Sequence, residues 1–103
     1  TTAYARVARG VSTARCLEVL NSYYGREPFV SVCEEGVYPE LRNVRYSNSC
    51  HIGLRVDERV GRVVVVSAID NIGKGASWNA VQNMNLLCGF PETLGIAAPG
   101  AFI

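Results

Sequence analysis

The residues best suited to chemistry lie between Asp70 and Asn85. Asp70-Asn71-Ile72-Gly73-Lys74-Gly75 gathers a carboxylate, an amide and an ammonium into a short glycine-containing bend. An ammonium between two glycines can meet a phosphate together with free backbone N–H groups. Local pattern alone favours a solvated turn lysine, and this Gly-x-Gly lacks the spacing of either phosphate-binding fingerprint. Further on, at helical spacing, Gly75, Asn79, Gln82, Asn83 and Leu86 fall on one narrow strip. A solvated helix face is ordinarily built from Lys and Glu, which form helices more readily and reach further. Amides offer hydrogen bonds without charge and suit backbone, a sugar or a carboxamide. Two readings therefore stand side by side: the amides pair with neighbouring backbone at a domain seam, or they touch a ligand or cofactor.

The other reactive types are poorly placed. His51 is the only histidine and has no nucleophile spaced to use it, so it reads as structural or surface. Cys33 and Cys50 have no base in sequence to activate them. No catalytic set is assigned. Cysteines at 16, 33, 50 and 88 with a single histidine spell no zinc signature, and no metal site is assigned. Three of them sit in apolar segments, where a free buried thiol is the ordinary state; a reducing, cytoplasmic setting follows as the expectation. Trp78, in the first turn of the last helix, reads as a packing anchor.

A chain of 103 residues has room for one domain with a modest core. A formal net charge of +1, with ten basic residues spread along the chain, argues for neither nucleic acid nor an anionic membrane as partner. No apolar run approaches a membrane span, and no basic-then-apolar leader is present. The chain begins without methionine, directly in strand pattern, and is expected to be a piece of something larger.

The chemistry-bearing bend is delivered by Arg62 to Ile69, eight residues of which six are aliphatic or alanine. Val63 and Val65 share one face and Val64 and Val66 the other, which predicts a central strand covered on both sides. It follows an alternating strand with Ile52, Leu54 and Val56 inward, across a hairpin loop at Asp57–Gly61. Earlier, Thr2 to Val7 reads as a half-buried strand with Ala3, Ala5 and Val7 inward. Ser12 is an N-cap for a helix to about Tyr23 that buries Cys16, Leu17, Leu20 and Tyr24. Phe29 to Val32 is a short strand, and Tyr38 to Asn48 is irregular, with an extended piece around Val44 to Tyr46. Gly89 ends the last helix. The tail, Phe90 to Ile103, packs as a strap or belongs against another domain. The order β-α-β-(β)-β-β-α predicts an α+β fold: a mixed, largely antiparallel sheet with helices packed on one side.

The run VVVVSAIDNIGKGASWNAVQNMNLLCGFPETLGI resembles, nearly residue for residue, the C-terminal signature of the N-acetyl-gamma-glutamyl-phosphate reductases. TTAYARV, SYYGREPFVSV and NSCHIGLRV are similar to the same family, so the resemblance spans essentially the whole chain. A shorter version of the Asp70–Asn85 block is shared with aspartate-semialdehyde dehydrogenases. The resemblance implies a fold like the C-terminal domain of glyceraldehyde-3-phosphate-dehydrogenase-like enzymes. The activity it implies is NADPH-dependent reduction of an acyl phosphate, in arginine biosynthesis. In that family a cysteine thiolate attacks the acyl phosphate, hydride reduces the thioester, and a histidine acts as acid and base; both lie outside this chain.

On that footing residues 1–69 form a portion of the substrate and dimerisation domain. Residues 70–103 are a bend, return helix and tail that pack against a nucleotide-binding domain elsewhere in the protein. The implied partners are that domain, further copies in a homodimer or homotetramer, and a small-molecule acyl phosphate. Asn71, Lys74, Gly75 and Ala76 match the family block at the nicotinamide end of NADP, and Asn83 is the helix amide added to them. Gly73, where a bulkier apolar residue is usual, and Ser77-Trp78 depart from the pattern. Two alternatives remain: an aspartate-semialdehyde dehydrogenase segment, against which Gln82-Asn83-Met84-Asn85 speaks, and a non-catalytic dimerisation or structural domain.

Overall fold

The computed structural model describes residues 1–100; positions 101–103, the end of the tail, lie outside the described residues. The valine-rich run forms β4 (Arg62–Ile69), an inner strand of a four-stranded sheet. Its neighbours are β1 (Thr2–Arg6) and β3 (Cys50–Asp57), with β2 (Val30–Val32) outermost beside β3, in the order β1-β4-β3-β2. β1 lies antiparallel to β4, with Tyr4 opposite Val64 and Ala5 opposite Val63. β3 reaches β4 through four residues, a connection short enough only for an antiparallel hairpin. Gly61, at φ +62°, closes that turn.

α1 (Thr13–Tyr24) starts where the cap chemistry places it: Ser12 Oγ accepts the Arg15 N–H at 3.1 Å. Thr13 Oγ1 also accepts the Val56 N–H at 3.0 Å, tying the helix start to β3. Leu17 is buried among Leu54, Val56 and Val63, with Cys16, Leu20, Val7, Val32 and Val65 around them. Burying a leucine this fully contributes roughly 1.5–3 kcal/mol. The Val63/Val65 face of β4 is thus covered by α1. Val64 and Val66, on the other face, are half-exposed.

Two compact units divide the chain. The first is Thr1–Pro39 with His51–Ser67, and the second Glu40–Cys50 with Ala68 to the end. In the first unit Gly53 is buried where an added Cβ would meet Pro39 Cδ at 2.9 Å and the Val37 carbonyl at 3.0 Å. The second holds α2 (Leu41–Val44) and α3 (Trp78–Cys88), with Val44, Ala68 and Ile96 buried.

Three expectations need correction. β1 is exposed along its whole length, because it is an edge strand and α1 covers the sheet only from Val7 inward. The stretch around Val44 is not extended: Leu41–Val44 makes one helical turn, closed by Asn43 N–H to the Glu40 carbonyl at 3.1 Å. Four residues are too few for a 3.6-residue period to show in the sequence. The cysteines are free thiols, yet none is fully buried: Cys16, Cys33 and Cys50 are half-exposed and Cys88 is exposed.

Candidate functional site

Every feature of the site lies in the second unit. Asp70, just past β4, uses its side chain as a clamp. Its Oδ1 accepts the N–H groups of Ile72 (2.8 Å) and Gly73 (2.7 Å), and Oδ2 accepts that of Tyr46 (2.9 Å). Tyr46 sits at φ +57°, an unusual conformation for a tyrosine, and this bond holds it there. The Tyr46 and Gly73 N–H groups hold the Asp70 carboxyl below the usual carboxylate range, outweighing the opposing effect of desolvation.

The sign of the resulting pH dependence follows directly. A depressed native pKa adds stability above the unfolded value of about 3.9, which is lost as pH falls through the native pKa. Asp70→Asn is therefore expected to flatten the acid limb of stability below about pH 4. Urea midpoints measured from pH 5 down to pH 2 test this, and parallel curves for the two proteins would count against the clamp.

Beyond Asp70 the chain makes a wide turn at Gly73–Ser77, with Gly75 N–H bonded to the Asp70 carbonyl and Ser77 N–H to that of Ile72. Such i to i−5 turns are rare and occur disproportionately at functional sites. The Gly73 and Gly75 N–H groups, which the sequence offered as donors to a phosphate without favouring that role, are both bonded to Asp70. Only the lysine side chain of that reading remains, and it is not a solvated turn lysine. Lys74 Nζ donates to Gln82 Oε1 at 2.6 Å and approaches Asn79 Oδ1 at 3.5 Å.

The amide strip of α3 resolves residue by residue. Gln82 is the hub: besides Lys74 it accepts from Asn48 Nδ2 (2.9 Å) and donates to Glu92 Oε1 (2.8 Å). Asn79 and Asn83 are exposed. Asn85, which the sequence reading left without a role, is 1% exposed and donates to the carbonyls of Glu92 (3.1 Å) and Leu94 (3.0 Å). The tail is thus strapped down, with Ile96 buried. Asn85 lies three residues from Gln82, and that helical spacing was the available signal for it.

Of the remaining sequence candidates, Asn71, Gly75 and Ala76 are exposed. Asn71 lies on an open cleft of about 320 Å³ with Leu41, Arg42, Arg45, Ile69 and Asp70. The structure therefore brings Lys74 to Gln82 and Asn71 to the arginines of α2 and its C-cap, while Asn83 stands on the exposed face of α3. Burial pushes the Cys50 thiol up, only partly offset by the Lys74 charge, and burial raises Cys33 as well. Both shifts favour the inert thiol over the thiolate. Among the described residues no group of three His, Cys, Asp or Glu is placed to hold a metal ion, and no helix is long and apolar enough to cross a membrane.

The described residues form an α+β sheet followed by a clamped bend and an amide-bearing helix. Residues 1–71 match the family model described as the semialdehyde dehydrogenase dimerisation domain, and the chain belongs to that family. It is 55% identical over 95 residues to the N-acetyl-gamma-glutamyl-phosphate reductase of Geobacter sp. (strain M21), covering 92% of this chain and 28% of that protein. It is 52% identical over 99 residues to the enzyme of that name from Moorella thermoacetica, covering 96% and 29%. For Citrifermentans bemidjiense the identity is 54% over 95 residues, covering 92% and 28%. The chain thus spans less than a third of the length of these curated relatives.

Proposed function

We propose that this chain is the dimerisation and substrate-side part of an N-acetyl-gamma-glutamyl-phosphate reductase. The observation that carries this reading is identity of 52–55% over nearly the whole chain to proteins of that name. The complete protein would reduce N-acetyl-glutamyl phosphate to the semialdehyde with release of phosphate. NADPH supplies the hydride. The thiolate and the acid/base histidine that the chemistry needs would come from outside these residues, in keeping with the raised thiols of Cys33 and Cys50.

Within this scheme residues 1–69 belong to the substrate and dimerisation domain, and the half-exposed Val64/Val66 face of β4 suits burial against a second copy in a homodimer or homotetramer. Residues 70–103 serve the nucleotide-binding domain. Met84, Leu86, Leu87 and Phe90 stand exposed on and after α3, Leu87 by 88%, and a covering domain would remove that apolar area from water. Asn71, Lys74, Gly75, Ala76 and Asn83 are the residues assigned to the nicotinamide end of the cofactor. Their chemistry fits it: exposed amides at 71 and 83 match a carboxamide, Lys74 matches a phosphate charge, and Gly75 and Ala76 permit close approach.

The test uses the complete protein. It should oxidise NADPH with N-acetyl-glutamyl phosphate and not with aspartyl phosphate, and Asn71→Ala should raise KM for NADPH about tenfold. Turnover on aspartyl phosphate alone would replace this substrate with the other. Unchanged NADPH kinetics in the variant would remove Asn71 from the cofactor site.

A further inference from the structure

Three side chains separated by up to forty-four positions converge on one amide, that of Gln82. Lys74 Nζ and Asn48 Nδ2 both donate to Gln82 Oε1, at 2.6 and 2.9 Å, while Gln82 Nε2 donates to Glu92 Oε1 at 2.8 Å. The arrangement has a direction. The amide oxygen faces the cation and the amide nitrogen faces the carboxylate; the reverse orientation would set like partial charges against both. Asn48, with no exposed surface, must then turn its own NH₂ group to Gln82, and its Oδ1 is left buried without a partner. A fully buried orphan acceptor is rare in folded proteins. Here the hub is satisfied at the expense of its periphery.

The wide turn makes the Lys74 contact possible. In an uninterrupted α-helix, residues eight apart lie roughly 80° out of phase, whereas seven apart they nearly coincide. The i to i−5 turn absorbs one extra residue between positions 74 and 82, so that Lys74 joins the stripe of Gln82. The Asp70 clamp on the Ile72 and Gly73 N–H groups holds that turn open.

We propose that Gln82 is a positioning residue: an amide spacer that fixes the Lys74 ammonium for a phosphate-type anion while standing between it and the Glu92 carboxylate. This rests on the reading that Lys74 contacts cofactor or substrate. A carboxylate at position 82 would hold the lysine equally well but would present a full counter-charge, which an incoming phosphate would have to displace. The amide carbonyl fixes the same ammonium and adds no charge. Glu92 orients the amide from its far end, and Asn48 locks it from the buried side. The anion is either a phosphate of the dinucleotide or the phosphate of the acyl-phosphate substrate.

The experiment is made on the complete enzyme carrying Gln82→Glu. Two equilibrium readouts separate the sources: NADPH affinity from its own fluorescence, and the inhibition constant of inorganic phosphate as probe of the substrate side. The ligand that Lys74 faces should bind about tenfold more weakly, the other should be unchanged, and KM should move more than kcat. Gln82→Met keeps the volume, removes the hold without adding charge, and should weaken the same ligand about threefold; it also serves if the glutamate variant does not fold. Unchanged affinity for both ligands in either folded variant overturns the proposal. Lys74→Met tells its failure from that of the underlying reading. If that variant also binds both ligands normally, Lys74 is no ligand contact. If it binds one of them weakly while the Gln82 variants do not, only the positioning role is lost.

Discussion

Alanine in place of Gly73 is expected to lower the unfolding temperature by on the order of 10 °C. The cause is steric, since Gly73 is not among the glycines at positive φ. A Cβ built there overlaps the carbonyl oxygen of Ser47 and lies 3.2 Å from its carbon. Both are backbone atoms of a residue with no exposed surface, so nothing can swing aside as a long side chain would. Overpacking of this kind costs about 1–3 kcal/mol. Gly75→Ala is the control, because its Cβ would come no nearer than 3.2 Å to the Asp70 carbonyl and the site is exposed. Thermal denaturation of the two variants side by side should show a large drop for position 73 and a small one for 75. Equal melting temperatures for the wild type and Gly73→Ala would mean that the bend does not approach Ser47 this closely.

Removing the Asn85 amide should be of similar or greater effect. Asn85→Ala strips the carbonyls of Glu92 and Leu94 of their donor and leaves a cavity where the buried Asn85 side chain stood. Together these amount to about 2–4 kcal/mol. The loss should be local in character. The Asn85 carbonyl also accepts the Phe90 N–H at 2.8 Å, so backbone and side chain of one residue together fasten the whole strap. Hydrogen exchange across residues 90–96 should accelerate far more than exchange in β3 or β4. Uniform acceleration through the chain would show that the strap is not a separately held unit.

The parts of the fold that were legible from sequence are those in which a short pattern carries its own physics. Ser12 before a helix, Gly89 at φ +72° after one, alternating aliphatics in β3 and continuous valines in β4 each act on near neighbours, and each element stands where it was expected. Apart from the single turn of α2 and the wide turn before α3, the misses involve partners distant in sequence. Ala3 and Ala5 alternate as an inward face should, yet exposure depends on β1 being at an edge, which strand order decides. Asn85 looked like its amide neighbours because nothing nearby announces that Glu92 and Leu94 return to it. Lys74 was assigned to the turn and Gly75 to the helical strip because a regular 3.6-residue period was carried back through positions 73–77. The wide turn displaces that period by one residue. The departure at Gly73 was visible in the sequence; its reason, the Ser47 carbonyl, was not.

The wide turn has a consequence for how this segment can vary. Between Asp70 and Gln82 the quantity that must be conserved is the number of residues, more than their identity. Deleting one position from 73–77 would relax the helix to its ordinary winding and look harmless, since those residues are exposed apart from Gly73 and Lys74. It would nevertheless break the i to i−5 ladder and shift Asp70 and its clamp against every residue of α3 that follows. Related sequences should therefore exchange side chains at the exposed Ser77 while keeping the spacing from Asp70 to Gln82 invariant.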